Sequence, residues 1–335
     1  MSFKDIKGQD RAVSFLSGIA STGRVGHAYI FYGPNGVGKS LAAMNFAKAV
    51  NCSARTPSGS CDTSVSPGSH PELTEGCDSC PSCRKIDSGN HPDLLLLRPD
   101  KELSPVGIDD VRALIKDIGL KPYEGRKKFY IIDGASAMKE EASNALLKTL
   151  EEPPSDSVII LIADSLAPVL STIVSRAQVV KFFPLGIGEV KEILVKNYGV
   201  DGTKAHIASH LSSGRLGEAL RYKDEDFLAR RQKAVTALAA GTFFDSDFDK
   251  LAKPELRTYL GIMLTWYRDM LVAKAAPERG PELINIDRAR DVLDAAAGCD
   301  IGRIEDAIAR VLGAFSHIEQ NANPKLVMAA LGVSI

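Results

Sequence analysis

An α/β domain built on a parallel sheet, followed by helical domains, is the fold class that three features of the sequence predict. Short apolar runs alternate with helical stretches as far as Phe183-Pro184. Strands joined through crossover helices give that alternation, with helices covering both faces of the sheet. A glycine-rich turn sits between the first strand and the helix after it. Beyond Phe183-Pro184 no convincing strand recurs, and amphipathic helical spacing takes over.

In order, residues 27–32 read as a strand, 41–50 as a helix and 94–97 as a buried strand. Residues 108–118 read as a helix, 129–132 as a strand and 139–150 as a helix, with further strands at 158–163 and 179–182. Then 187–197, 206–211 and 216–222 form a small helical set broken by Gly and Ser. Longer helices follow from residue 226, including 256–274 and 301–320. The expected organisation is an α/β domain over 1–183, a small helical domain over 184–225 and a larger helical domain over 226–335.

Composition narrows the function classes. The chain has 335 residues, 44% of them apolar and 25% charged, which is ordinary for a globular protein. The longest clean apolar run, 158–163, is far short of a membrane span. Residues 1–5 lack the basic and then apolar pattern of a signal peptide, so a cytoplasmic location and no membrane partner are expected. A net charge of −1 argues against a chain that grips DNA unaided, because phosphate contacts call for a basic surface.

The glycine-rich turn is Gly33-Pro34-Asn35-Gly36-Val37-Gly38-Lys39-Ser40. It fits G-x-x-x-x-G-K-[ST] at every fixed position, between a predicted strand and a predicted helix. Glycines let backbone N–H groups turn toward phosphate oxygens, and the helix N-terminus adds positive potential. In such a loop Lys39 reaches the β- and γ-phosphates of ATP, and Ser40 holds Mg²⁺. Asp133, closing the strand 129–132, is the candidate acid near that Mg²⁺. Gly134 follows it, where a hydrolysing enzyme of this type carries a water-activating Glu.

Five of the six cysteines fall between residues 52 and 83. In a reducing compartment such clustering points to a metal and not to disulfides. Cys77, Cys80 and Cys83 are spaced to face one ion, with Cys52 at the helix end as a fourth thiolate, a set suited to structural Zn²⁺. The 53–76 segment, rich in Ser, Thr, Pro and Gly, reads as an insertion that loops out of this module, which spans about 52–83. Cys61 and His70 lie within it; they could compete as ligands, but read better as unliganded surface groups. Cys299 reads as a small core residue.

Residues 144–154, Asn-Ala-Leu-Leu-Lys-Thr-Leu-Glu-Glu-Pro-Pro, carry a closer resemblance. Together with Ser175-Arg176-Ala177, Gly8-Gln9, His27-Ala28-Tyr29 and Asn321-Ala322-Asn323-Pro324, they resemble the AAA+ subunits of the bacterial DNA polymerase III clamp loader. The similarity runs over essentially the whole chain. It implies an AAA+ P-loop domain with a zinc module, a lid and a C-terminal collar. It also implies assembly with gamma/tau and delta subunits, and action through that complex on the sliding clamp and primed DNA.

Within that resemblance the departures are informative. Gly134 stands where the hydrolysing gamma/tau type has Glu, and Gly217 where it has the sensor-2 arginine, with Arg215 nearby but out of register. At the sensor-1 position the chain has Ala163-Asp164, and an aspartate there would repel a γ-phosphate. The resemblance therefore implies a stator-type subunit with weak or absent hydrolysis. In that reading Arg176 is an arginine finger completing a neighbour's site. The alternatives are a hydrolysing gamma/tau-type ATPase and an unrelated P-loop enzyme such as a kinase, for which no acceptor site is evident.

Overall fold

Why the first half forms a sheet covered on both sides is visible in the alternation of its strands. The computed structural model describes residues 2–54, 75–98, 106–240, 253–276, 283–320 and 322–334. Cys61, His70 and most of the 53–76 insertion lie outside these. Among the described residues five parallel strands form one sheet, β1 (Ala28–Tyr32), β2 (Leu94–Leu97), β3 (Lys128–Asp133), β4 (Ser157–Ala163) and β5 (Gln178–Lys181), in the order β2-β3-β4-β1-β5.

Tyr29, Phe31, Phe129, Ile131, Val158, Ile160 and Ile162 face one side. There they pack on α1 (Asp10–Thr22) and α2 (Lys39–Asn51) through Leu16, Ala43 and Phe46. Ala28, Ile30, Tyr130, Ile132, Ile159 and Leu161 face the other. There they meet α4 (Ile108–Ile118) and α5 (Glu140–Glu151) through Leu114, Leu146 and Leu150. Period-two side chains on a sheet with two apolar faces give this division. All seven residues of the central β4 are buried.

The expected strand at 94–97 is found, but β2 is an edge strand and Leu95 is 38% exposed. An all-leucine run cannot distinguish an edge from a centre. The helices α1, α3 (Pro81–Asp87) and α6 (Ser171–Val174) were not foreseen.

The chain divides into two units, Met1–Leu185 and Gly186–Ile335. Among the described residues the second unit is helical. It comprises α7 (Ile187–Tyr198), α8 (Gly202–Ser212), α9 (Leu216–Tyr222), α10 (Glu225–Ala239), α11 (Lys253–Ala275), α12 (Ala289–Ala297), α13 (Ile301–Glu319) and α14 (Pro324–Ser334). Its core gathers about Trp266 and Met263 of α11 with Ile304 and Val311 of α13, and Cys299 packs at its margin. Asp269, fully buried, accepts from the Ile284 and Asn285 backbone N–H groups at 3.0 and 2.7 Å, tying the segment before α12 to α11. Among the described residues no helix is long and apolar enough to cross a membrane.

Candidate nucleotide and metal sites

The phosphate-loop motif lies at the carboxyl edge of the sheet, after β1, where ligands of open parallel sheets bind. Gly33, Gly36 and Gly38 have φ of 148°, 82° and 100°. These are values that glycine adopts freely and other residues resist. A Cβ on Gly33 would come 2.3 Å from the carbonyl oxygen of Phe182, the residue after β5, so that close approach also excludes a side chain there. α2 begins at Lys39, which brings its first N–H groups to the loop. A glycine cradle at a helix N-terminus, followed by Lys39 and Ser40, fits a nucleotide's phosphates.

Around that cradle the polar side chains of Asn35, Lys39, Ser40, Asp133 and Asp164 converge. Ser40 Oγ donates to Asp133 Oδ2 at 2.7 Å, which unites the two residues expected near Mg²⁺. Lys39 is only 5% exposed, and its ammonium donates to the Gly33 carbonyl, to the Pro34 carbonyl at 3.0 Å and to Asp164 Oδ1 at 3.0 Å. Burial pushes the Lys39 pKa down, and the Asp164 and Asp133 carboxylates oppose that only in part. The other Asp164 oxygen accepts from Asn35 Nδ2 at 2.9 Å. The expectation of Asp164 as a repulsive group did not include these two contacts, since they join residues more than a hundred positions apart.

Gly134 has a local structural role. Its φ is 90°, and it opens the tight turn Ala135–Ala137 after β3. The turn uses the left-handed region, where a side chain is strained.

The four cysteines Cys52, Cys77, Cys80 and Cys83 come together, with all four sulfurs within 4.8 Å of one another. Cys52 follows α2, and Cys80 caps α3, whose first residue is Pro81. The Cys52–Cys80 and Cys77–Cys83 sulfur pairs stand 4.0 Å apart. A tetrahedral thiolate site with Zn–S bonds of about 2.3 Å needs sulfurs about 3.8 Å apart, so the set fits zinc with little movement. Contacts with Cys52 and Cys83 hold the Cys80 thiol far below its ordinary range, while Cys52 and Cys80 push Cys83 up. Thiols crowded in this way compete for protons that a divalent cation would displace.

Sequence reasoning missed how this module is fastened. Lys48, one turn before Cys52 on α2, is 1% exposed and donates to both Asp87 oxygens at 2.9 Å and to Asp78. Burial alone would lower the Lys48 pKa, but the two carboxylates outweigh it and the net shift is upward. Acids flanking a cysteine cluster, with a lysine at i−4 to its first member, are the signal that could have revealed the clamp.

Arg176 lies at the other edge of the sheet. It follows α6 and precedes β5, and Gln178 is in register with Tyr29 near the start of β1. Its guanidinium donates to Glu151 Oε1 at 2.8 Å and to the Thr172 carbonyl at 3.0 Å. With His27, Leu150, Ser175 and Gln178, these two charged residues line an open cleft of about 490 Å³. The 28–32 strand, at about 3.3 Å per residue, separates that cleft from the phosphate loop. In α9, Gly217 offers no side chain, and Arg215 Nε is committed to the Ser212 carbonyl at 2.8 Å.

Residues 8–186 match the profile of the family described as DNA polymerase III, delta subunit. The chain is 29% identical over 334 residues to DNA polymerase III subunit delta' of Bacillus subtilis (strain 168), covering 96% of this chain and 94% of that one. It is also 29% identical over 304 residues to DNA polymerase III subunit tau of the same organism, covering 82% of this chain but only 51% of tau. Among solved structures, a DNA polymerase III gamma subunit-related protein of Thermotoga maritima aligns over 96% of this chain and 97% of that one, with 17% identity and a TM-score of 0.46.

Proposed function

We propose, from the premise that the chain belongs to the DNA polymerase III delta-subunit family, that it is the delta-prime, stator-type component of a clamp loader. In this role it works in the cytoplasm with gamma/tau and delta subunits to place a sliding clamp on primed DNA. Residues 184–225 are read as a helical lid domain and 226–335 as a collar that serves subunit assembly.

One observation carries the reading. The phosphate loop and Arg176 occupy opposite edges of one sheet. Arg176 is thus too far from this chain's own phosphates to act there, and it is displayed where an adjoining subunit's nucleotide could reach it. To serve, it must exchange Glu151 for phosphate oxygens, an exchange that its exposed position allows because a surface ion pair is weak. A guanidinium suits the task because its planar fork meets two oxygens at once.

For its own nucleotide, the glycine loop supports binding, Ser40 with Asp133 supports a Mg²⁺ position, and Lys39 supports the phosphates. Bound Mg²⁺ would neutralise phosphate charge. Gly134 leaves no side chain to orient an attacking water, which supports weak turnover. The Ser40–Asp133 contact is the feature that favours the rival reading, a gamma/tau-type ATPase, and Gly134 with Gly217 weighs against it. The four cysteines would hold zinc as a closed structural site.

Reconstitution tests the proposal. Gamma/tau and delta subunits, sliding clamp, ATP and primed DNA are combined with and without this chain. Clamp loading should require it. Equal loading in its absence would refute the assignment.

A further inference from the structure

We propose that Asp164 makes this nucleotide site selective for a diphosphate over a triphosphate. The inference rests on reading residues 33–40 as a nucleotide-binding loop. Backbone geometry dictates where Asp164 stands. β4 pairs with β1 so that Ala163 is opposite Tyr32, and the Gly33 N–H donates to the Ala163 carbonyl at 3.2 Å. The next residue must therefore emerge beside the phosphate loop. The Asp164 N–H is held by Ser136 Oγ at 2.9 Å, which anchors the residue to the turn after β3.

Its carboxylate then spans the loop. One oxygen meets Lys39 Nζ at 3.0 Å and the other Asn35 Nδ2 at 2.9 Å. With the Gly33 and Pro34 carbonyls, this gives the lysine's three N–H donors three acceptors. The carboxylate is thus an internal anion on the residue that receives the terminal phosphate of a triphosphate. A third phosphoryl group would have to take Lys39 from Asp164 and then remain beside a like charge. A diphosphate, held by the glycine amides and the first turn of α2, makes a smaller demand on that pair.

The measurement is calorimetric titration of the full chain with Mg²⁺-ADP and Mg²⁺-ATP. The wild type is compared with Asp164→Asn, which keeps the shape and removes the charge, and with Asp164→Ser, which removes both. The wild type should bind ADP more tightly. Both variants should raise ATP affinity about tenfold, the scale of one charge-assisted contact, and move ADP affinity by less than about threefold. An unchanged ATP-to-ADP ratio in both variants, with Lys39→Ala abolishing binding, would overturn the role of Asp164 and leave the nucleotide site standing. Absence of binding for either nucleotide in every protein would overturn the site itself and this inference with it.

Discussion

Ser40 Oγ donates to Asp133 Oδ2 at 2.7 Å, joining the first turn of α2 to the last residue of β3. This is the spacing at which one hydroxyl and one carboxylate can share a hydrated divalent cation. Ser40→Ala and Asp133→Asn should each weaken nucleotide binding about tenfold when Mg²⁺ is present and little in its absence. Titrations with and without chelator check this. Equal weakening in both conditions would show that the pair merely braces the loop.

Gly134 at φ 90° predicts that restoring the missing glutamate does not by itself make a motor. Gly134→Glu places a side chain in the left-handed region, at a stability cost of about 1–2 kcal/mol. Asp164 still faces Lys39, and Gly217 still lacks a side chain. Phosphate release by the lone chain should therefore stay within about threefold of wild type, because transition-state charge is stabilised by several groups together. A large gain in turnover would show that a water-activating acid was the only part missing.

The cysteine cluster predicts about one tightly bound zinc per chain. Elemental analysis of the purified protein should find it, and Cys80→Ser combined with Cys83→Ser should remove it. Chelator stripping should lower the melting temperature of the nucleotide-binding unit, since closed structural sites stabilise their fold directly. Undiminished zinc in the double variant would sink the site.

How much of this was legible depends on whether the chemistry is local in sequence. The phosphate loop needs eight consecutive residues, and Asp133 needs only the strand before it, so both could be read without coordinates. Helix α1 could have been found from Ala12, Leu16 and Ala20, four residues apart and all buried. The Lys48 clamp left only the trace of acids beside the cysteines and a lysine four residues before Cys52, and the Asp164–Lys39 pair left none, because the register of the sheet brings its residues together. Arg176 was legible as a motif. Its partner Glu151 was legible only as a neighbouring motif, since nothing in either segment says that they touch.

His206 predicts a pH dependence for the helical unit. Burial pushes its pKa down, its ring pairs with the Leu283 carbonyl at 2.9 Å, and His210 and Lys191 add repulsion that Asp269 partly offsets. The unfolded chain therefore binds a proton more readily than the folded one. This contribution to stability is complete above about pH 6.5 and falls as pH drops through the folded-state pKa. Trp266, the chain's single tryptophan, is buried in this unit and reports on it. Urea midpoints followed by its fluorescence should be lower at about pH 5.5 than at about pH 7.5, and His206→Asn should shrink the difference. An equal difference in the variant would assign the effect elsewhere.

Arg176 carries the sharpest prediction, because a finger and a brace answer differently to the same substitutions. The observed contact with Glu151 at 2.8 Å is a brace in the isolated chain. Both side chains are substantially exposed, so breaking the contact should alter stability by less than about 1 kcal/mol. A finger's loss is felt elsewhere. In other P-loop systems an arginine donated in trans is worth about 10³ or more in rate at the site it completes. In a complex with several active sites, only the adjoining one would lose its arginine. Total ATP turnover should therefore fall in part, and clamp loading, which needs the sites in concert, should fall further. Arg176→Lys keeps the charge without the planar fork, so it should resemble Arg176→Ala in loading while restoring much of the Glu151 contact. Glu151→Gln separates the two roles from the other side. It frees the guanidinium of its partner, so a finger should work as well or better, whereas a brace should fail just as it does in Arg176→Ala. Complexes carrying each variant, assembled to the same stoichiometry and assayed for loading on primed DNA, decide the matter. Normal loading with Arg176→Ala would leave the arginine a surface residue paired to its neighbour.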